Sequence, residues 1–177
     1  MLLVLIVIVW CSSGVLMDYQ TYRRLCAEEG KVTINEPILS GLAWQTKEKS
    51  DAQWIVKNFP GVPFARYEKY HEKLYDLRDA GQALGRAHNY EVKEADLSLR
   101  PRYILKRQGG NINGGSRVRY YATTVFDSQQ KNIVIESKVF GFTWWVLGDS
   151  PYGLTSTSTC FDPHAIEKIK KSFESRE

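Results

Sequence analysis

The chain opens on an unbroken apolar run, Leu2 to Trp10 (LLVLIVIVW), and carries no charged side chain before Asp18. Folded domains distribute apolar residues with the period of a strand or a helix, so a continuous apolar start constrains location before it constrains fold. The run fits the ~7–15 apolar residues of a secretory signal and falls short of the ~20 of a comfortable membrane span. Residues 2–17 together still suffice for a thinned bilayer. The first boundary therefore falls at residue 17: residues 1–17 read as a signal, lipoprotein-type or membrane-anchor segment, and residues 18–177 as the folded part.

Directly after the run stand Cys11-Ser12-Ser13-Gly14, with Ile8 three positions before the cysteine. This start resembles a bacterial lipoprotein signal, and the resemblance implies that Cys11 becomes the lipidated first residue. Two other readings stay open, ordinary cleavage near Ser13 or Gly14, where small residues meet the signal peptidase demand, and an uncleaved anchor. A buried strand or helix of a soluble protein is the remaining alternative. No basic side chain precedes the run, whereas Arg23 and Arg24 follow it. Under the positive-inside rule a retained anchor would leave the body in the cytoplasm.

Cysteine parity bears on the same question. With Cys11 carrying lipid, Cys26 and Cys160 remain as an even pair near opposite ends of the chain, a disulfide in an oxidising compartment. Closing so long a loop would stabilise by ~4–5 kcal/mol in the chain-entropy model. In a reducing compartment the same residues would be two buried thiols.

The 177 residues are 43% apolar and 25% charged, which excludes a disordered tail, a collagen-like fibre and a polytopic membrane protein. One domain is expected. Asp18 can cap a short helix with Tyr19, Tyr22 and Cys26 on one face, ended by Gly30. Val32 and Ile34 alternate before Pro37 as a short edge strand. Ser50 onward suggests helical turns stopping before Pro60. Phe64, Tyr67, Tyr70, Leu74 and Leu77 recur at helical spacing, which predicts an amphipathic helix over 63–79. After Leu97 the period changes to two, and 99–108, 117–127 and 132–146 read as strands. Asp162 and Pro163 then open a final helix with Ala165, Ile166, Ile169 and Phe173 on one face. The expected fold is α+β, a single domain with an antiparallel meander of three to four strands packed by N-terminal, middle and C-terminal helices.

The net charge of +4 has one source. Residues 97–121 hold six basic side chains and no acid, while every other stretch is nearly balanced. Alternation places Arg100, Arg102 and Lys106 on one face of the first strand, and Arg117 and Arg119 on one face of the second. Sharing a face, they would form a basic stripe for anionic headgroups, an anionic envelope component or an acidic protein surface, acting at long range and sensitive to salt. A solvated sheet face balanced by acids from elsewhere is the plainer alternative. Gly109 to Gly115 reads as a glycine-rich loop with Ile112 as its apolar tip.

Catalytic patterns are incomplete. His71-Glu72 lacks the second histidine of the zinc-protease helix, because Tyr75 holds that place. Cys160 and His164 are four apart, yet Pro163 and the Asp162 cap put the cysteine outside the helix. No cofactor and no metal site is expected. Phe140, Phe142 and Trp144 share a strand face suited to burial, with Trp145 on the other. The leading expectation is a small bacterial envelope protein, membrane-anchored through its N-terminus and facing the periplasm, acting as a non-catalytic binding or accessory module; nucleic acid is not its expected partner. The alternatives are an envelope hydrolase whose site assembles only in three dimensions, around His71 or His88, and a cytoplasm-facing anchored protein binding anionic lipid or nucleic acid.

Overall fold

The structure is a computed structural model. It describes residues 2–69, 73–82, 88–112, 117–143 and 157–174, with the backbone alone over residues 2–13. The elements follow as α1 (Leu2–Glu28), β1 (Val32–Ile34), β2 (Ile38–Leu39), β3 (Trp44–Thr46), α2 (Lys49–Asn58), β4 (Ala65–Lys69), β5 (Lys73–Gln82), β6 (His88–Glu94), β7 (Tyr103–Asn111), β8 (Val118–Asp127), β9 (Asn132–Thr143), β10 (Thr157–Cys160), α3 (Ala165–Lys171) and β11 (Phe173–Glu174).

Nine of these strands form one mixed sheet in the order β1-β9-β8-β7-β3-β4-β5-β6, with β10 added on β9, while β11 pairs with β2. This overturns the expected meander of three to four antiparallel strands. Strand β3 lies between β4 and β7 and runs parallel to both, whereas β4–β5, β5–β6 and β9–β10 are antiparallel. The sheet is also much larger than expected, because the segment read as an amphipathic helix over 63–79 contributes β4 and the start of β5, with Tyr70 outside the described residues. Ala65 faces Leu77 and Tyr67 faces Tyr75 across β4 and β5, the two tyrosine rings stacked at 5.9 Å. Apolar residues on two short strands reproduce i, i+3 and i+7 spacing by coincidence, and the charged residues between them, which on a helix would face water, include the buried Arg66 and Asp76.

Other boundaries move for local reasons. Asp18 caps nothing, because α1 passes through it and continues to Glu28; the helix stops where the Glu29 and Gly30 N–H groups both donate to the Leu25 carbonyl, at 2.8 and 3.0 Å. The final helix does begin after Asp162, whose carboxylate accepts the His164 N–H at 3.0 Å. It ends early, and Phe173 pairs in parallel with Ile38 rather than continuing the helical face. Among residues with described side chains, no helix is long and apolar enough to cross a membrane.

The chain divides into two compact units, one comprising Met1–Val32, Gln108–Ala122 and Ser137–Ala165, the other Thr33–Arg107, Thr123–Glu136 and Ile166–Glu177. In the first, here the α1 unit, Tyr22, Val118, Phe140 and Phe142 are buried together, with Val15, Tyr19, Leu25, Cys26, Ile112, Tyr120 and Cys160 packed against them. The second, the α2 unit, is built on an aromatic stack. Trp44 lies 5.7 Å from the rings of both Phe59 and Tyr103, and Phe173 closes on Phe59 at 5.3 Å. Ile55 and Val56 of α2 complete that core.

Candidate functional site

In the α1 unit the helix is held to the sheet by rings and by a covalent bond. Tyr19 meets Phe142 edge-on at 5.4 Å and Tyr22 sits 5.7 Å from the same ring. Burial and then the neighbouring Tyr19 push the Tyr22 phenol above its ordinary value. One turn later Cys26 is bonded to Cys160 of β10 (Sγ–Sγ 2.05 Å), across 134 residues. Cys160 therefore has no free thiol and cannot act as a nucleophile beside His164. Gly30 is required where the helix turns away: a Cβ there would lie 2.7 Å from the Cys26 carbonyl oxygen and 3.3 Å from the Cys160 sulfur. Lys138 of β9 adds an ion pair to Glu29 at 2.9 Å. Cys11 lies on the α1 backbone, and its side chain is outside the described residues.

The five basic residues expected to form a stripe fall in different units. Arg117 and Arg119 belong to the α1 unit, at the start of β8, where Arg119 is exposed and the Arg117 carbonyl accepts the Thr143 N–H at 3.0 Å. Arg100, Arg102 and Lys106 belong to the α2 unit. Arg100 is exposed, three residues before β7. Arg102 is committed internally: its guanidinium binds the Asp127 carboxylate through Nε and Nη2, each at 2.8 Å. Burial alone would raise the Asp127 carboxyl; the Arg102 bond and the Gln130 and Gln129 N–H groups outweigh it and hold the carboxyl below its ordinary value. The same bond to Asp127 raises Arg102. Lys106 is exposed, its ammonium 5.8 Å from the Phe126 ring centre. The glycine-rich loop expected at 109–115 begins as strand. Gly109 and Gly110 lie in β7 beneath the rings of Tyr121 and Tyr120, Ile112 packs into the α1 unit's core, and residues 113–116 are outside the described residues.

Two buried ionic groups of the α2 unit escaped the sequence reading. Arg66, on β4, donates from Nε and Nη2 to the two carboxylate oxygens of Asp76 at 2.6 and 2.9 Å, and from Nη2 to the Asp96 carbonyl at 2.7 Å. Both side chains are buried, so each charge depends on the other. Asp51, in the first turn of α2, accepts the Thr46 hydroxyl at 3.3 Å and pairs with Arg107 at 2.7 Å; Arg107 also lies over the Trp54 ring. The signal available in sequence was register: Arg66 and Asp76 are direct cross-strand partners once β4 and β5 are recognised.

A cleft of about 100 Å³ opens beside the first pair, lined by Asp76, Arg78, Glu91, Lys93, Glu94, Asp96 and Leu99. His88 sits 3.7 Å from Asp79 and does not line this cleft. His71, Trp144 and Trp145 are outside the described residues, while Phe140 and Phe142 are buried. Among the described residues no group of three or more His, Cys, Asp or Glu is placed to hold a metal ion. No protein-family model, curated protein or solved structure matches this chain.

Proposed function

We propose that this chain is an exported bacterial envelope protein, anchored to the membrane at its N-terminus with Cys11 as the acylation site, and acting as a binding or accessory module rather than through catalysis. The observation that carries this reading is the Cys26–Cys160 bond, closed just after the apolar start. Disulfides persist in oxidising compartments and are reduced in the cytosol, so a bond that ties the two ends of the folded part favours the exported side over the cytoplasmic one suggested by Arg23 and Arg24. Helix continuity supports the accessory role. Val15, four residues after Cys11, already packs on the α1 unit's core, so by a rise of ~1.5 Å per residue the body begins ~6 Å from the anchoring residue. A module held that close works at the membrane surface. The exposed Arg119, in the stretch with no acid of its own, is the contact offered there to an anionic headgroup or envelope polymer.

The test is intact mass of the protein from native membranes, after thiol alkylation with and without prior reduction. The expected species starts at Cys11, carries acyl mass, and gains two alkyl groups only after reduction. A full-length chain with three freely alkylated thiols would overturn export and send the search for partners to the cytoplasm.

A further inference from the structure

Strand β6 is the last strand on its side of the sheet, and no described strand pairs with its outer edge. An open edge presents unpaired N–H and C=O groups to any strand that fits. The register of β6 on β5 fixes which groups these are. Ala95 N–H donates to the Leu74 carbonyl, 2.9 Å, so residues 95, 93 and 91 turn their backbone polar groups toward β5. Residues 90, 92 and 94 therefore turn theirs outward. Glu91 and Lys93 are exposed, and Val92 is 39% exposed.

We propose that β6 is a self-association edge, pairing antiparallel with β6 of a second copy about a two-fold axis through Val92. In that register Val92 meets its own copy in a hydrogen-bonded pair, and Tyr90 meets Glu94 of the other chain in the next two, giving six backbone bonds. Glu91, which within one chain already pairs with Lys93 of its own strand at 2.6 Å, then also faces Lys93 across the axis, twice, in the non-hydrogen-bonded positions where cross-strand side chains approach most closely. The charges already present on the sheet select this occupant. Arg66 opposes Asp76, Asp76 opposes Lys93, and Arg78 opposes Glu91. The two-fold pairing extends these rows without a like-charge contact, as Arg66, Asp76, Lys93, then Glu91 and Arg78 of the second copy. A shift of two residues in register would set Glu91 against Glu91 or Lys93 against Lys93, so the edge is guarded against its own misalignment. The isologous pairing also sets the second chain beside the cleft lined by Asp76, Arg78 and Leu99.

The test uses the full-length protein in detergent. A cysteine on the axis, Val92→Cys, should give an oxidant-induced, reducible dimer, because a hydrogen-bonded antiparallel pair holds its Cα atoms ~5.5 Å apart. Tyr90→Cys should not, since its own copies stand on the order of 13 Å apart. Without added cysteines, Glu91→Lys or Lys93→Glu alone should weaken dimerisation about tenfold in sedimentation, through two opposed like-charge pairs. Mixing the two variants should restore it, because every cross-axis contact is again Lys with Glu; restoration also shows that both variants fold. Equal cross-linking at positions 90 and 92, or a mixture that associates no better than either variant alone, would overturn the proposal.

Discussion

The two units hold themselves together by different means. Among the described residues, the α1 unit buries the apolar side chains Tyr22, Val32, Val118, Phe140 and Phe142, and a disulfide ties its helix to β10. The α2 unit buries Trp44, Phe59, Phe64, Tyr67, Leu77, Tyr103, Ile38, Ile55, Ile135 and others, and every buried charged side chain described, Asp51, Arg66, Asp76 and Asp127, lies in it. A covalent staple lowers the entropy of the unfolded chain rather than adding contacts to the folded one. A large core can carry the desolvation of buried ions, provided each ion keeps its partner.

The sharpest way to break this contrast is to open the staple. Cys26→Ser with Cys160→Ser should cost ~5 kcal/mol for a loop of this length, with the backbone amides of the α1 unit losing their hydrogen-exchange protection at lower denaturant than those of the α2 unit. Coincident transitions would show that the units do not melt separately. Next in size, Asp76→Asn strands the Arg66 guanidinium and should cost ~3–5 kcal/mol, whereas Arg66→Met with Asp76→Leu should cost clearly less, both by denaturant titration. Gly30→Ala drives a Cβ into backbone beside the disulfide and should cost ~1–3 kcal/mol, felt in the α1 unit's transition. The Asp127 carboxyl, held below its ordinary value of 3.8, contributes stability above that value and loses it as pH falls through the lower folded value; Asp127→Asn should flatten that part of the acid unfolding curve. Last, Lys171→Ala removes an exposed i,i+4 pair with Glu167 and should shift stability by only ~0.3 kcal/mol.

What was legible in the sequence was local. The strands β7, β8 and β9 follow from alternation and turn chemistry, α2 and α3 from apolar spacing and the Asp162 cap, and the Cys26–Cys160 pair from parity. Register was not legible. The parallel insertion of β3 between β4 and β7 rests on three residues, Trp44 to Thr46, too few to carry a period, and their partners are distant in sequence. The same limit hid the candidate sites. Arg102 looked like part of a charged face because Asp127, its partner, lies 25 positions away, and Arg66 and Asp76 looked like surface charges on a helix that does not form.

One consequence of the disulfide is mechanical. A chain pulled by its two ends yields length only from segments outside a covalent loop. The bond between Cys26 and Cys160 encloses both units' strands β1 to β9, so only residues 1–26 and 160–177 can pay out under tension. Load entering through α1 passes at Cys26 directly to β10 and bypasses the chain that carries strands β1 to β9. Whatever pulls on the N-terminus can peel Tyr19 and Tyr22 from Phe142, but it cannot unthread the sheet between the two cysteines without first breaking a sulfur–sulfur bond.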